Sequence, residues 1–246
     1  MRASLRPGKD CMDIPRLRLR LLTEPGGNPK TVKNLSLGYL TAALHLVPAL
    51  FNGTGVNLCP AHTPGCAEAC LYHAGRAAFS PAVQRARMER TRLYLEQRHL
   101  FYEMLHADIL WLAYSAREHG LKPAVRLNAT SDILWEETPI VSALPDVQFY
   151  DYTKLPGRKV APNYHLTFSH SERNARVCRR ELAAGRNVAL VYAGERPVDF
   201  LGYPTIDGDQ HDARFLDPSP VVVALRAKGR NAEADTTGFV VQARGS

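Results

Sequence analysis

From Gly120 onward the sequence keeps one rhythm: a short apolar run, a polar turn, then a connection into the next apolar run. Ala124–Leu127 leads to Asn128, Ser131 and Asp132, and Val147–Tyr150 leads to Asp151, Tyr152 and Lys154. Tyr164–Phe168 leads to Ser169 and then to a helix expected over Glu172–Ala184, which Gly185 closes. Asn187–Tyr192, Pro220–Leu225 and a short Gly238–Val241 supply further strands. Strands separated by crossover connections pair in parallel. With Leu37–Val47 counted as the first buried strand, six or so βα units are in view. The pattern predicts an α/β fold, a partial or closed TIM-like (βα) barrel, in one domain over residues 1–246.

The first strand runs straight into N-L-C-P-A-H-T-P-G-C-A-E-A-C-L-Y-H-A-G-R, residues 57–76. Cys59, Cys66 and Cys70 fall within this Pro/Gly-rich loop, and such a loop lets several sulfurs point at one centre. The spacing C-x6-C-x3-C differs from zinc-ribbon pairs and from ferredoxin runs. Three thiolates on a 4Fe–4S cluster leave one iron open for a substrate or cofactor. A fourth ligand, with His62 and His73 as candidates, gives instead a closed Cys3His zinc centre. The competing readings are a disulfide with one thiol left over, or three buried apolar cysteines. The five cysteines are an odd number and no secretory segment opens the chain, so a reducing compartment is expected. Cys11 and Cys178 lie too far away in sequence to be placed.

Around these elements, residues 1–35 form a basic, Pro/Gly-rich extension, and the alternation of Arg16, Arg18 and Arg20 with leucines up to Leu22 predicts a short half-buried strand. Ser80-Pro81 starts a helix that runs to Gly120, with a break expected near Arg98–Leu100. Phe101, Met104, Leu105 and Leu112 recur at helical spacing and predict core. Arg85, Arg87, Arg90, Arg92 and Arg98 read as a solvated face or a phosphate-facing one. An apolar content of 45% supports a sizeable core, and no apolar run is long enough for a membrane span. The net charge of +7 makes an anionic small molecule or a nucleic acid a plausible partner. Residues 244–246 read as a vector remnant.

In α/β barrels chemistry collects at the carboxyl ends of the strands. The candidates there are Arg126, Asn128, Asp132, Asp151, Lys154 and His165, each with a plainer alternative: Asp132 as a helix cap, Lys154 as a solvated side chain, His165 as a core histidine. Asp207, Asp209 and Asp212 form D-G-D-x-x-D, either a hard-cation site or a tight turn with Asp212 paired to Arg214.

The segments V-R-L-N-A-T-S-D-I, F-Y-D-Y-T-K, N-Y-H-L-T-F-S and I-D-G-D-Q-H-D-A-R-F, together with C-P-x5-C-x3-C, resemble a bacteriophage family, the gene product 88 domain proteins, from about Leu22 to Val241. The resemblance implies a phage or prophage origin and so a bacterial host cytoplasm; it brings no assigned reaction with it. The chain is more distantly similar to the radical SAM superfamily, which carries three cysteines after the first strand of a partial (βα)6 barrel. That likeness implies a 4Fe–4S cluster with S-adenosylmethionine at its open iron. The chain departs from that superfamily's usual C-x3-C-x2-C and lacks a glycine-rich motif for the cofactor's methionine end.

Three functions follow as expectations. The first is an iron–sulfur enzyme with an open-site cluster, acting on a small-molecule, nucleotide or nucleic-acid substrate. The second is a non-catalytic module with a zinc or iron–sulfur staple that binds DNA or a host protein through the arginine-rich helix. The third is hydrolysis assisted by a hard metal at Asp207, Asp209 and Asp212. No G-x-S-x-G or G-x4-G-K-[ST] occurs, which argues against a serine-hydrolase elbow and a P-loop.

Overall fold

A computed structural model describes residues 19–27, 29–74 and 79–242 of the chain. Cys11, Arg16, Arg18 and residues 244–246 lie outside the described residues. Strand β1 (Leu22–Thr23) is followed by α1 (Pro29–Val32), a 3-10 turn (Lys33–Leu37) and β2 (Tyr39–Leu44). The next crossover holds α2 (Pro64–Glu68), α3 (Pro81–Glu96) and α4 (Arg98–Glu118) before β3 (Lys122–Arg126). A short α5 (Pro139–Ser142) precedes β4 (Gln148–Thr153), which reaches β5 (Tyr164–Ser169) through a turn without a helix. Then come α6 (Ala175–Ala183), β6 (Val188–Ala193), β7 (Asp199–Phe200), β8 (Tyr203–Asp207), β9 (Val222–Arg226), α7 (Arg230–Glu233) and β10 (Val240–Gln242).

The ten strands make one mostly parallel sheet in the order β1-β2-β3-β4-β5-β6-β9-β8-β7. The edges are the antiparallel strands β1, on β2, and β7, on β8. No ladder joins β2 to β8, so the sheet is open and the closed-barrel alternative is not met. The edge hairpins explain this: each terminal parallel strand already has its outer hydrogen bonds taken by an antiparallel neighbour. β10 is the branch. It pairs parallel with residues 191–193 of β6, just beyond the point where β5 stops pairing at Ala189.

Helix α4 positions the sheet. Phe101, Leu105, Ile109, Leu112 and Ala116 recur every three or four residues and are all buried. They pack on Leu40, Ala42 and Leu44 of β2, Val125 of β3, Leu127 just beyond it and Phe149 of β4. Fully burying side chains of this size contributes roughly 1.5–3 kcal/mol each. Gln97 separates α3 from α4, at the break that the length of the helical stretch predicted. Ser80 caps α3 by accepting from the Val83 N–H at 3.4 Å, with Pro81 in the first turn.

Because side chains alternate along a strand, the other face carries Thr41, Arg126, Tyr150, Tyr152, His165 and Thr167. This face is polar, and the segment after β8 crosses it. The Asp212 N–H donates to Asn34 Oδ1 at 2.9 Å, Lys30 Nζ lies 3.2 Å from Asp209 Oδ1, and Phe215 packs edge-on against Tyr39 and Tyr150. Gly208 starts the crossing; a Cβ there would come within 2.7 Å of Leu225 and Val223 side-chain atoms.

Candidate active site at the carboxyl edge

The cysteine loop is tied down at the carboxyl ends of several strands. Leaving β2, the chain is held by the Val47 N–H donating to Thr91 Oγ1 at 2.9 Å and by Thr130 Oγ1 donating to the Leu46 carbonyl at 2.6 Å. Beyond β3, the Asp132 N–H donates to the Leu58 carbonyl at 2.8 Å, and Cys59 Sγ lies 3.7 Å from the Thr130 carbonyl. Thr63 caps α2 with Pro64 following it, and its hydroxyl also donates to Glu172 Oε2 at 2.7 Å, while the Gly65 N–H donates to Glu172 Oε1 at 3.1 Å. Gly65 lies against the segment before β10, since a Cβ there would collide with Thr237 Oγ1 and come within 2.7 Å of Phe239 Cβ. Cys70 caps the next 3-10 turn, accepting from the Tyr72 N–H at 3.5 Å.

Cys59, Cys66, Cys70 and Cys178 are free thiols, so no disulfide joins the loop's three. Those three are half-buried. Burial pushes the Cys59 thiol up to about 12, and the neighbouring Cys70 and Cys66 push the same way. Burial also raises Cys70; Cys66 adds to that, whereas Lys154 and Arg87 pull it down. The three sulfurs thus share one neighbourhood, and Lys154 and Arg87 stand near it. Among the described residues no three His, Cys, Asp or Glu side chains are arranged to hold a metal ion. His62 points Nδ1 at the Cys59 carbonyl, 2.8 Å away, and His73 packs edge-on against Phe51 and Tyr72. Cys178 is buried on α6, 3.3 Å from Asn174 Oδ1.

The six strand-end candidates separate into three groups. Arg126 and His165 lie on the polar face. Arg126 Nη1 is 3.5 Å from Asp212 Oδ2, and its guanidinium sits 4.7 Å from the centroid of Tyr152. Tyr150 donates to the same Asp212 oxygen at 2.8 Å. His165 Nε2 lies 3.4 Å from Thr167 Oγ1, and burial lowers its pKa, with Arg214 adding to the effect. Asp132 and Lys154 meet at the edge, where the Lys154 N–H donates to Asp132 Oδ2 at 2.8 Å. Lys154 Nζ lies 5.4 Å from the Phe239 ring centroid.

Asn128 and Asp151 work inside the fold. Asn128 Oδ1 accepts from Ser131 Oγ (2.8 Å), the Ile133 N–H (2.9 Å) and Trp135 Nε1 (3.1 Å). Asp151 is fully buried and lies on the helix-covered face, accepting from the Asn128 N–H at 2.6 Å and Tyr164 OH at 2.7 Å. Burial raises its carboxyl to about 7 against those two donors.

The D-G-D-x-x-D carboxylates go to different partners. Asp207 accepts from the Asp209 N–H at 2.8 Å, and Asp209 also pairs with Lys228 at 3.1 Å. Asp212 faces Arg126 rather than Arg214, because the chain crosses the polar face at this point; Arg214 turns to Asp217, 3.3 Å away. Among the described residues several polar atoms buried here have no hydrogen-bond partner: Arg126 Nε, Tyr152 OH, Asp212 Oδ1 and Arg214 Nε. Native interiors leave few such groups, so a cluster of them calls for an explanation.

Sequence reasoning passed over Arg158, His45 and the role of Glu172. Arg158 reaches Glu136 Oε1 at 2.7 Å and Oε2 at 2.5 Å, and Asp132 Oδ1 at 3.2 Å, fixing the edge beneath Lys154. Its place after Pro156-Gly157 reads as loop, and the two carboxylates it meets lie more than twenty positions upstream. Glu172 was expected to open a helix, but that helix begins at Ala175 and Glu172 clamps the cysteine loop instead.

Fold and site together define an open, mostly parallel α/β protein with three free thiols anchored at the carboxyl edge of its sheet. The chain belongs to the gene product 88 family, whose model matches residues 20–243. The bacteriophage family that the motifs resemble is therefore the one that matches, and a likeness to the radical SAM superfamily is not found. No curated protein and no solved structure matches the chain. Among the described residues no helix is long and apolar enough to cross a membrane.

Proposed function

We propose that this protein is an enzyme whose sheet forms a partial barrel, with Cys59, Cys66 and Cys70 holding a 4Fe–4S cluster at its carboxyl edge. The observation that carries the reading is the anchoring of the loop. Thr63 and Gly65 on Glu172, Leu58 on Asp132 and Gly65 against Thr237 hold it at the ends of β3 and β5 and beside β10. The donor set fits in kind: three unbridged thiols in one neighbourhood, of which Cys59 is held protonated by burial and by its two neighbouring cysteines. A soft metal centre is the partner that stabilises such thiolates. When bound, a three-thiolate cluster supplies one-electron chemistry and an open iron.

The chain's own residues then divide the work. Arg126 and Lys154 attract a negatively charged small molecule, nucleotide or nucleic acid, and His165 accepts or donates a proton on the polar face. Asp132 orients Lys154, held in turn by Arg158. Asn128 and Asp151 keep the edge in shape. A bacterial host cytoplasm is the compartment that keeps the thiols reduced.

Anaerobic purification with iron and acid-labile sulfide analysis tests the reading. Brown protein with iron and sulfide, lost on Cys59→Ser, Cys66→Ser or Cys70→Ser and retained on Cys178→Ser, is expected. Colourless protein with stoichiometric zinc, or iron that survives the triple serine variant, overturns it.

A further inference from the structure

Helix α3 turns one guanidinium inward. Arg85 and Arg92 are exposed, whereas Arg87 is only 6% exposed. Its orientation is fixed by Thr91, one turn on, which accepts from the Val47 N–H and donates to the Arg87 carbonyl at 2.8 Å. Arg87 therefore stands where the chain leaves β2 for the cysteine loop. Its Cζ lies 5.6 Å from the ring centroid of Tyr72, whose N–H is the one that meets Cys70 Sγ. Among the described residues neither Nε nor Nη1 of Arg87 has a hydrogen-bond partner.

Tyr72 and Cys70 are the neighbours that favour the charge on Arg87, and neither is a carboxylate. His45, just past β2, holds Thr23 Oγ1 2.9 Å from Nδ1. Its pKa is depressed to about 3 by burial first, and then by Arg87, Arg126 and Arg90. Arg126, whose register partner Ala43 lies two residues before His45, is paired with Asp212 and has no hydrogen-bond partner for Nε among the described residues. A buried, unpaired guanidinium is costly, and a counter-charge is what offsets the cost. Arginine suits one kind of anion in particular, because its planar fork matches two oxygens of a phosphate or carboxylate.

We propose that the corner bounded by Arg87, Arg126, His45 and Tyr72 is an oxyanion-binding site that seats a phosphate or carboxylate group of the substrate beside Cys70. The proposal rests on reading the carboxyl edge as the substrate site, and it narrows the substrate class to molecules carrying such a group.

The full-length protein, purified anaerobically, is titrated with sodium phosphate and, separately, sodium acetate, against sodium chloride at matched ionic strength. Melting temperature and equilibrium dialysis are followed, and the iron content of the same sample is recorded. A saturable rise in melting temperature with phosphate identifies a phosphate group, and one with acetate identifies a carboxylate. Arg87→Gln weakens that binding about tenfold or more, the loss of a charge-assisted hydrogen bond. The same variant melts no lower than wild type without anion, because it removes an unpaired buried charge. Arg87→Lys falls between the two, and Arg85→Gln on the exposed side behaves as wild type.

The proposal is overturned if neither anion gives a saturable response beyond chloride, or if Arg87→Gln binds as tightly as wild type. It is overturned as well if Arg87→Gln and Arg87→Lys both melt lower without anion, since the arginine would then be structural. Iron-free protein that still binds the anion removes the cluster reading and leaves this one standing.

Discussion

Glu172, just beyond β5, accepts from Thr63 through one carboxylate oxygen and from the Gly65 N–H through the other, joining residues more than a hundred positions apart. This clamp sits between Cys59 and Cys66 and sets where the thiol loop lies over the sheet. Hydrogen bonds to a charged group are the stronger kind, though Glu172 is partly exposed and its contribution is discounted accordingly. Glu172→Ala is expected to cost on the order of 1 kcal/mol in denaturant unfolding. It also makes Cys59, Cys66 and Cys70 react faster with a thiol reagent, with Cys178 unchanged as the internal reference.

Gly65 is the second point of closure. Gly65→Ala drives a methyl group into Thr237 and Phe239 and is expected to destabilise by about 1–3 kcal/mol. Adding Thr237→Gly removes one of the two collisions, so the double variant recovers part of that loss. A double-mutant cycle measured by urea unfolding reads the coupling.

Asn128 spends its side chain on the turn that carries Trp135. Its Oδ1 takes three donors, and its Nδ2 donates to the Ile133 carbonyl at 2.9 Å. Asn128→Ala leaves those groups buried and unpaired, at a cost of about 3 kcal/mol. Intrinsic fluorescence checks it further, since the loosened, fully buried Trp135 ring shifts its emission to the red.

Asp151 makes stability depend on pH. Its carboxyl is raised to about 7 in the folded chain, above the unfolded value. Between those values the folded state holds more protons than the unfolded state, so stability falls as pH rises from about 4 to about 7, by on the order of 3 kcal/mol. His45 and His170, depressed to about 3 and about 4, act with the opposite sign over part of that range. The difference between wild type and Asp151→Asn isolates the carboxyl. The variant is expected to gain relative to wild type as pH rises to about 7 and to hold that gain above it. A flat difference between pH 4 and pH 8, roughly the span of the titration, excludes the assignment.

The buried parallel strands were legible because runs such as Val188–Tyr192 and Val222–Leu225 are apolar on both faces, which only a covered sheet accepts. Tyr203–Asp207 was not, since it is half-exposed, contains Pro204 and pairs across a turn at Gly202. The thiol loop was legible from residue type alone. Which side of the sheet each polar residue takes was not. Alternation separates Asp151 from Tyr150 and Tyr152, but nothing local says that α4 covers the Asp151 side. Arg87 was hidden for a similar reason, being one of four arginines on a helix whose inward face depends on a hydroxyl meeting Val47.

The branch at β6 bears on the order of assembly during synthesis. β10 is translated after every other strand of the sheet, and Thr237 and Phe239, the backing of Gly65, arrive with it. Until that moment the nascent chain has its thiols on the ribosome-distal part of a nearly finished sheet with one wall missing. In that interval the thiol loop lacks its Thr237 and Phe239 backing, and docking of the late strand ends it.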